Sequence, residues 1–235
     1  MADMQAAREI LKRYWGYQDF RPKQEEVIQQ VLDGRDCIAL LPTGAGKSIC
    51  FQVPAVVLKG VCLVVSPLIA LMKDQVERLK EVGVSAEAIY SGMRRRDIDR
   101  ILDNCIYGST KLLYLSPERL QSPLAQARIR RMPVSFVAVD EAHCISQWGF
   151  DFRPAYTQIP LLRSLHPRVS ILAVTATATS TVVDDIGAQL ELSDPVCVRS
   201  GFARDNLRLN VIRADNKHER LVDAVTKSSG ASIVY

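Results

Sequence analysis

Five short runs of apolar, largely β-branched residues punctuate the chain: CIALL from position 37, VCLVV from 61, KLLYL from 111, SFVAV from 135 and SILAV from 170. Each is continuous rather than alternating, the pattern of a strand buried on both faces. Between them the apolar spacing changes to three and four. LIALMKDQVERLKEVG, residues 68–83, predicts a helix stopped at Gly83 in the manner of a C-cap. Strands alternating with helices give an α/β fold, a mostly parallel sheet covered by helices on both faces. In such a sheet the carboxyl ends of the strands share one edge, where ligands bind. The five runs lead into PTGAGKS, SPLIALMKDQ, SPERL, DEAH and TATAT, so these polar stretches are expected to converge there.

One apolar stretch, VPAVVLKGVCLVVSPLIALM at 53–72, has the length of a membrane span. Lys59, Gly60, Ser66 and Pro67 interrupt it. It divides into the end of a helix, the strand VCLVV, and a new helix capped by Ser66 with Pro67 in its first turn. No membrane partner is expected. Residues 1–200 make one domain, and 201–206, within RSGFARDN, make a linker. Residues 207–235 begin a second lobe: LRLNVIRA as a strand, KHERLVDAVTK as a helix, and ASIVY as a strand cut short.

Composition narrows the picture only a little. Apolar residues are 48% and charged residues 24%, which suits a packed core rather than a disordered chain. The net charge of +4, from 30 basic and 26 acidic residues, is too small to argue nucleic-acid binding by itself. The six cysteines include no C-x-x-C pair, and histidines are not clustered. Neither a zinc site nor a disulfide framework is expected, and a reducing, intracellular compartment follows. The opening MADMQAAREILKRYWGY lacks the apolar core and cleavage site of a signal peptide.

The chemistry begins at PTGAGKS. The backbone N–H groups of Thr43, Gly44, Ala45 and Gly46 can curl around phosphate oxygens, and the helix that follows directs its positive end at the same anion. Lys47 would reach the β- and γ-phosphates, and the Ser48 hydroxyl would ligate Mg²⁺. The strict phosphate-loop pattern asks for Gly where this chain has Leu41. In FVAVDEAH, two carboxylates stand at the tip of an apolar strand, costly unless they face water or a cation. Asp140 suits Mg²⁺ coordination, and Glu141 is placed to orient or deprotonate an attacking water. Together these residues imply ATP and Mg²⁺.

PTGAGKS, DEAH and TAT in this order resemble superfamily 2 helicases. SPLIALMKDQ, SPERL and DEAHCISQWGFDFRP resemble the RecQ family of DNA helicases nearly letter for letter, and the likeness covers essentially the whole chain. It implies a RecA-like P-loop domain followed by the truncated start of a second RecA-like lobe. GYQDFRPKQEEVI, residues 16–28, is similar to that family's adenine-recognition motif. By that resemblance Tyr17 stacks on adenine while Arg21 and Gln24 contact the nucleotide; an amide can satisfy both polar edges of the base.

ISQWGFDFRPAY, residues 145–156, concentrates Trp148, Phe150, Phe152 and Tyr156 beside Arg153. Aromatics in a polar loop suit base stacking, worth about 1–3 kcal/mol per base. The resemblance makes this stretch a sensor linking DNA contact to hydrolysis, with His143 and Gln147 in the same coupling set. Ser66, Lys73 and Arg119 would touch DNA phosphates, and Thr175 and Thr177 would relay nucleotide state.

The expected activity is therefore that of an ATP-dependent 3′–5′ DNA helicase acting on single-stranded or 3′-tailed DNA in repair and recombination. It would work in the nucleoid of a bacterium or the nucleus of a eukaryote. Two other readings stand beside it: an ATP- and DNA-binding module without unwinding activity, and a DEAH-type RNA helicase. The family's arginine finger lies in the second lobe, so the 235 residues alone are expected to hydrolyse ATP weakly and not to unwind. Asp205 stands where the family usually has Pro.

Overall fold

The computed structural model describes residues 4–149, 151–201, 208 and 210–234. The chain divides into two compact units, Met1–Phe202 and Ala203–Tyr235. The first is built on seven strands: β1 (Cys37–Leu40), β2 (Val61–Val65), β3 (Ala86–Ile89), β4 (Leu112–Leu115), β5 (Val134–Val139), β6 (Ile171–Thr175) and β7 (Val196–Arg199). They form one sheet in the order β3-β4-β2-β5-β6-β1-β7, and every pairing is parallel.

The five apolar runs become β1, β2, β4, β5 and β6. Alternate residues of each enter two separate cores, as the period of two in a strand requires. One face takes Ile38, Leu40, Leu63, Val65, Val137 and Val139, packed on α5 (Arg95–Tyr107) and α8 (Ser180–Gln189). The other takes Ala39, Leu41, Cys62, Val64, Phe136 and Ala138, packed on α2 (Gln24–Leu32), α3 (Ile49–Val57) and α4 (Ile69–Glu81). Beyond α2 and α3, the first helix α1 (Met4–Ile10) adds an outer layer through Ala7, joined by Leu11, Ile28, Leu32 and Val53. Helices α6 (Pro123–Ile129) and α7 (Leu161–Leu165) complete the unit. No helix among the described residues is long and apolar enough to cross a membrane.

The end of α4 follows the expected chemistry. Gly83 takes φ +85, its N–H donates to Lys80 O at 3.0 Å, and Val84 N–H reaches Leu79 O at 2.8 Å. This is the Schellman arrangement, and only a glycine takes that φ without strain. The start of α4 differs from expectation. Its N-cap is Leu68, with no side-chain cap, and Ser66 takes no part in it. Ser66 is buried beside Asp140 instead.

One buried acid ties the opposite end of the sheet together. Asp36, directly before β1, accepts Ile171 N–H at 2.8 Å, Ser193 N–H at 2.7 Å and Arg163 Nη2 at 2.5 Å. It thereby anchors the start of β6 and the turn before β7 to the start of β1.

In the second unit, α9 (Lys217–Thr226) forms where a helix was expected. Asn216 caps it by accepting Glu219 N–H at 3.2 Å. The described residues of LRLNVIRA and ASIVY lie in no strand, unlike the expectation. A strand needs a neighbour for its backbone groups, and this unit supplies none among its described residues. Asp205 and most of the 201–206 stretch lie outside the described residues.

Candidate nucleotide and nucleic-acid site

Because β2, β5, β6 and β1 are consecutive in the sheet, the segments after their carboxyl ends stand side by side. These carry Ser66, Asp140 with Glu141, and the loop 42–48, beside Thr175, the last residue of β6. The expected convergence on one edge is what the topology produces. Leu41, the departure from the phosphate-loop pattern, is a core residue that prolongs β1, its N–H donating to Thr175 O at 3.1 Å.

The loop is shaped by Gly44 at φ +83 and Gly46 at φ +77, a region L side chains seldom adopt. Ala45 N–H turns back onto Pro42 O at 3.0 Å, while the N–H groups of Gly44, Gly46, Lys47 and Ser48 donate to no protein group among the described residues. Donors in a row at the start of α3 form an anion cradle.

Gln24 holds this cradle from behind. It is 3% exposed; its Nε2 donates to Ala45 O at 2.9 Å and Gly46 O at 3.0 Å, and its Oε1 accepts Arg21 N–H at 2.8 Å. Arg21 in turn donates through Nη1 to Gly44 O. A Cβ at Gly46 would stand 2.5 Å from Gln24 Nε2. Tyr17, Arg21, Gln24, Gly46 and Ser48 line one cavity of about 450 Å³, and Tyr17 is 54% exposed beside it. The three residues grouped around adenine thus share a cavity with the phosphate loop.

Across from the loop, Asp140 is 6% exposed. Burial, then the neighbouring Glu141 charge, pushes its carboxyl up to about 6, while the Glu141 N–H, Lys47 and Ser66 pull it back. The Glu141 N–H donates to Asp140 Oδ1 at 3.0 Å. Lys47 is therefore close enough to favour the charged acid, without a contact ion pair. The Ser66 hydroxyl faces the carboxyl outside hydrogen-bond geometry and has no partner of its own. An orphaned buried hydroxyl next to a raised acid suits a group that a cation will join. Asp140 is held from below as well, by Tyr156, whose hydroxyl donates to Asp140 O at 2.8 Å. Tyr156, expected within the aromatic loop, is fully buried.

Glu141 sits at φ +47, rare for a residue with a side chain. Its Oε2 lies 3.4 Å from His143 Nδ1, and that nitrogen lies 2.8 Å from Thr175 Oγ1. Thr177 N–H reaches Thr175 Oγ1 at 3.4 Å. The acid after β5 and the threonine ending β6 are thus joined through one imidazole.

The loop beyond is more open. Trp148 is 75% exposed, Gln147 is exposed and Phe152 half-buried, and Phe150 lies outside the described residues. Arg153 is engaged at three points: its N–H donates to Cys144 O at 2.8 Å, Nη1 to Pro67 O at 3.1 Å and Nη2 to Asp151 Oδ2 at 3.1 Å. It links this loop to the segment after β2, a role that sequence spacing alone cannot reveal. Lys73 and Arg119 meet elsewhere, around Tyr90 beyond β3. Lys73 Nζ lies 4.8 Å from the Tyr90 ring centroid, and Arg119 Nη2 donates to Tyr90 O at 2.6 Å. Lys73 borders a larger groove of about 750 Å³ lined also by Tyr90, Arg94 and Arg100, whereas Arg119 lines a separate cavity of about 410 Å³. Ser66, grouped with them by resemblance, is buried at the central rim.

A phosphate cradle facing a buried acid on a parallel sheet defines the class. The chain belongs to the DEAD/DEAH box helicase family, whose model matches residues 21–186. Within it the sequence is similar to RecQ helicases. It is 45% identical over 233 residues to the ATP-dependent DNA helicase RecQ of Bacillus subtilis (strain 168), covering 97% of this chain and 39% of that protein. Against the ATP-dependent DNA helicase RecQ of Pasteurella multocida (strain Pm70) the identity is 42% over 232 residues, covering 98% and 37%. The chain thus spans about two fifths of the length of these curated relatives. A solved structure of the DUF1998 helicase MrfA bound to DNA and AMPPNP is similar in fold, with a TM-score of 0.64 and 15% identity over 83% of this chain and 29% of that one.

Proposed function

We propose that residues 1–200 are the ATP-binding lobe of a RecQ-type 3′–5′ DNA helicase, and that 207–235 open its second lobe. The observation that carries this is the cradle of N–H groups at Gly44, Gly46, Lys47 and Ser48, which donate to no protein group among the described residues, facing Asp140, whose carboxyl is raised and whose Ser66 neighbour lacks a partner. The donor set fits ATP with Mg²⁺. Lys47 and the loop N–H groups take the phosphates, and Ser48 and Asp140 hold the metal, which supplies charge neutralisation at the β- and γ-phosphates. Glu141 orients the attacking water and accepts its proton; His143 ties Glu141 to Thr175, so a shift of the acid is felt at β6. Tyr17 stacks on the base. Base recognition by Gln24 requires its amide to exchange the Ala45 and Gly46 carbonyls for the adenine edge.

Trp148 and Phe152 offer aromatic faces to single-stranded DNA, and Lys73 and Arg119 offer charge to its phosphates. The 235 residues alone hydrolyse ATP slowly, because the finger that adds about 10³–10⁵ in rate belongs to the second lobe. The test is Mg·ATP binding to this chain by calorimetry. Lys47→Ala should weaken it by roughly 10- to 100-fold, the value of one charge-assisted contact of about 1.5–3 kcal/mol. Unchanged affinity would remove the basis of the reading. Competition of single-stranded DNA against RNA of the same sequence decides the substrate: clear RNA preference would favour the RNA helicase alternative.

A further inference from the structure

Three donors lie together where the DEAH turn meets the exposed loop. His143 Nε2 is 3.8 Å from Cys144 Sγ, Asp151 Oδ2 is 3.7 Å from the same sulfur, and all three atoms lie within 4.8 Å of one another. A tetrahedral zinc ion, with bonds of about 2.0–2.3 Å to nitrogen, oxygen and sulfur, holds such donors roughly 3.3–3.6 Å apart. Both spacings to sulfur are already close to that edge. The remaining contraction falls on Asp151, whose side chain is on the exposed side of the loop.

The histidine is oriented for the task. Thr175 Oγ1 donates to Thr177 O at 3.3 Å, so its one proton is committed and it accepts from His143 Nδ1 at 2.8 Å. Nδ1 therefore carries the hydrogen, with Glu141 Oε2 at 3.4 Å from it, and the lone pair sits on Nε2, the nitrogen turned toward Cys144. An oxygen partner on the far ring nitrogen is how metal-binding histidines are fixed. These donors stand at i, i+1 and i+8, a spacing that matches no zinc pattern, which is why no zinc site was expected from residue spacing.

We propose that His143, Cys144 and Asp151 bind a borderline divalent transition-metal ion of the zinc type, which pins the exposed loop to the DEAH turn. On binding, a sulfur–metal bond replaces the S–H bond, the proton leaves to solvent, and no electron is transferred. The site differs in kind from the oxygen donors Ser48 and Asp140, because Mg²⁺ has little use for thiolate and imidazole. The ion competes with Arg153, which donates to Asp151 Oδ2 through Nη2 at 3.1 Å and Nε at 3.4 Å. Capture of that oxygen loosens Arg153, and with it the bond to Pro67 O at 3.1 Å that links the loop to the segment after β2. A zinc-type ion therefore acts as a brake on this junction. The binding claim stands independently of the proposed helicase activity.

Cobalt(II) titrated into the 235-residue chain in excess Mg²⁺ tests it, read by the thiolate-to-cobalt charge-transfer band and its displacement by zinc. The expected result is one equivalent bound, with the band abolished by Cys144→Ser and retained in Cys197→Ser, which removes the exposed thiol. Asp151→Asn, a change on the exposed loop that leaves the core packing intact, should weaken binding by roughly 10-fold or more. A band that persists in Cys144→Ser, disappears in Cys197→Ser, or never forms at millimolar cobalt overturns the proposal. So does unchanged affinity in Asp151→Asn.

Discussion

Met1–Phe202 and Ala203–Tyr235 contain the same raw materials, apolar runs beside amphipathic helices, and end in opposite conditions. In the first, VCLVV lies between two parallel neighbours and all five residues are buried. In the second, IVY belongs to no strand in its described residues, and α9 buries none of its ten, although Leu221, Val222 and Val225 share its apolar side. The difference teaches that an apolar run acquires structure from its partners, and that function follows the same rule. The rim around Asp140 is held by four strands at once, so its donors stay in place; α9 has only its own cap.

The largest effect expected from that contrast is at Asp36. Asp36→Ala leaves the half-buried Arg163 without its carboxylate partner and frees the buried Ile171 N–H and the more open Ser193 N–H. Breaking one side of such a pair costs about 3–5 kcal/mol. Urea denaturation of the chain should report a loss of that size, and a loss near zero would mean that the first unit does not depend on this anchor.

Next comes Asp140, where function and stability oppose each other. Its carboxyl is raised from 3.8 to about 6, so the folded state binds the proton more tightly than the unfolded state. Stability therefore falls as pH rises from about 4 to 6, and the penalty is present in full above the folded value. Each pKa unit is about 1.4 kcal/mol, so the ionised acid costs about 3 kcal/mol at neutral pH. Asp140→Asn should stabilise the metal-free chain by up to about 3 kcal/mol at pH 7.5 or so, with the gain fading toward pH 4. A gain independent of pH would exclude burial of charge as its cause. The same variant should lose Mg²⁺-dependent nucleotide affinity.

A smaller effect is expected at Gly46. Gly46→Ala places a Cβ 2.5 Å from Gln24 Nε2 at a φ of +77, so the clamp between α2 and the loop must open. Left-handed strain on an L residue is worth about 1–2 kcal/mol. Thermal denaturation should register a loss of that order, and adding Gln24→Ala should relieve the steric share of it while leaving the backbone strain. Full recovery in the double variant would assign the whole effect to the amide.

What could be foreseen in the sequence follows from this dependence on neighbours. The five central strands are continuous apolar runs because both faces are covered, and their polar successors therefore landed on one edge. Strands β3 and β7 escaped notice because they are the two edges of the sheet. AEAI carries the half-buried Glu87 and VCVR the exposed Arg199, so neither gives a continuous apolar signal. At the rim, Asp140 and Glu141 are legible because they follow β5 directly, and Lys47 and Ser48 because a short glycine-containing loop carries them from the end of β1 to the start of α3. Tyr156 under Asp140, Arg153 on Pro67 and Gln24 behind the phosphate loop join residues that periodicity cannot relate. Ser66 resembled a helix cap locally, and burial beside Asp140 took it elsewhere.

The smallest effect sharpens the comparison most, because it asks whether α9 owes anything to packing. Its N-cap bonds are local, Asn216 Oδ1 to Glu219 N–H at 3.2 Å and Asn216 Nδ2 to Glu219 Oε2 at 3.4 Å. Its last turn adds Asp223 paired with Lys227 at 2.6 Å. With Leu221 40% exposed and no buried residue in the helix, Leu221→Ala removes little that folding had hidden from water. The expected change in stability lies within about 0.5 kcal/mol, the range for exposed positions, whereas Asn216→Ala should cost α9 about 1 kcal/mol through its cap. Site-resolved hydrogen exchange separates the two: faster exchange across 217–226 in Asn216→Ala and little change in Leu221→Ala is the pattern of a helix held by its own ends. A larger loss from Leu221→Ala would mean that this face is covered in solution and that the two units differ less than their burial suggests.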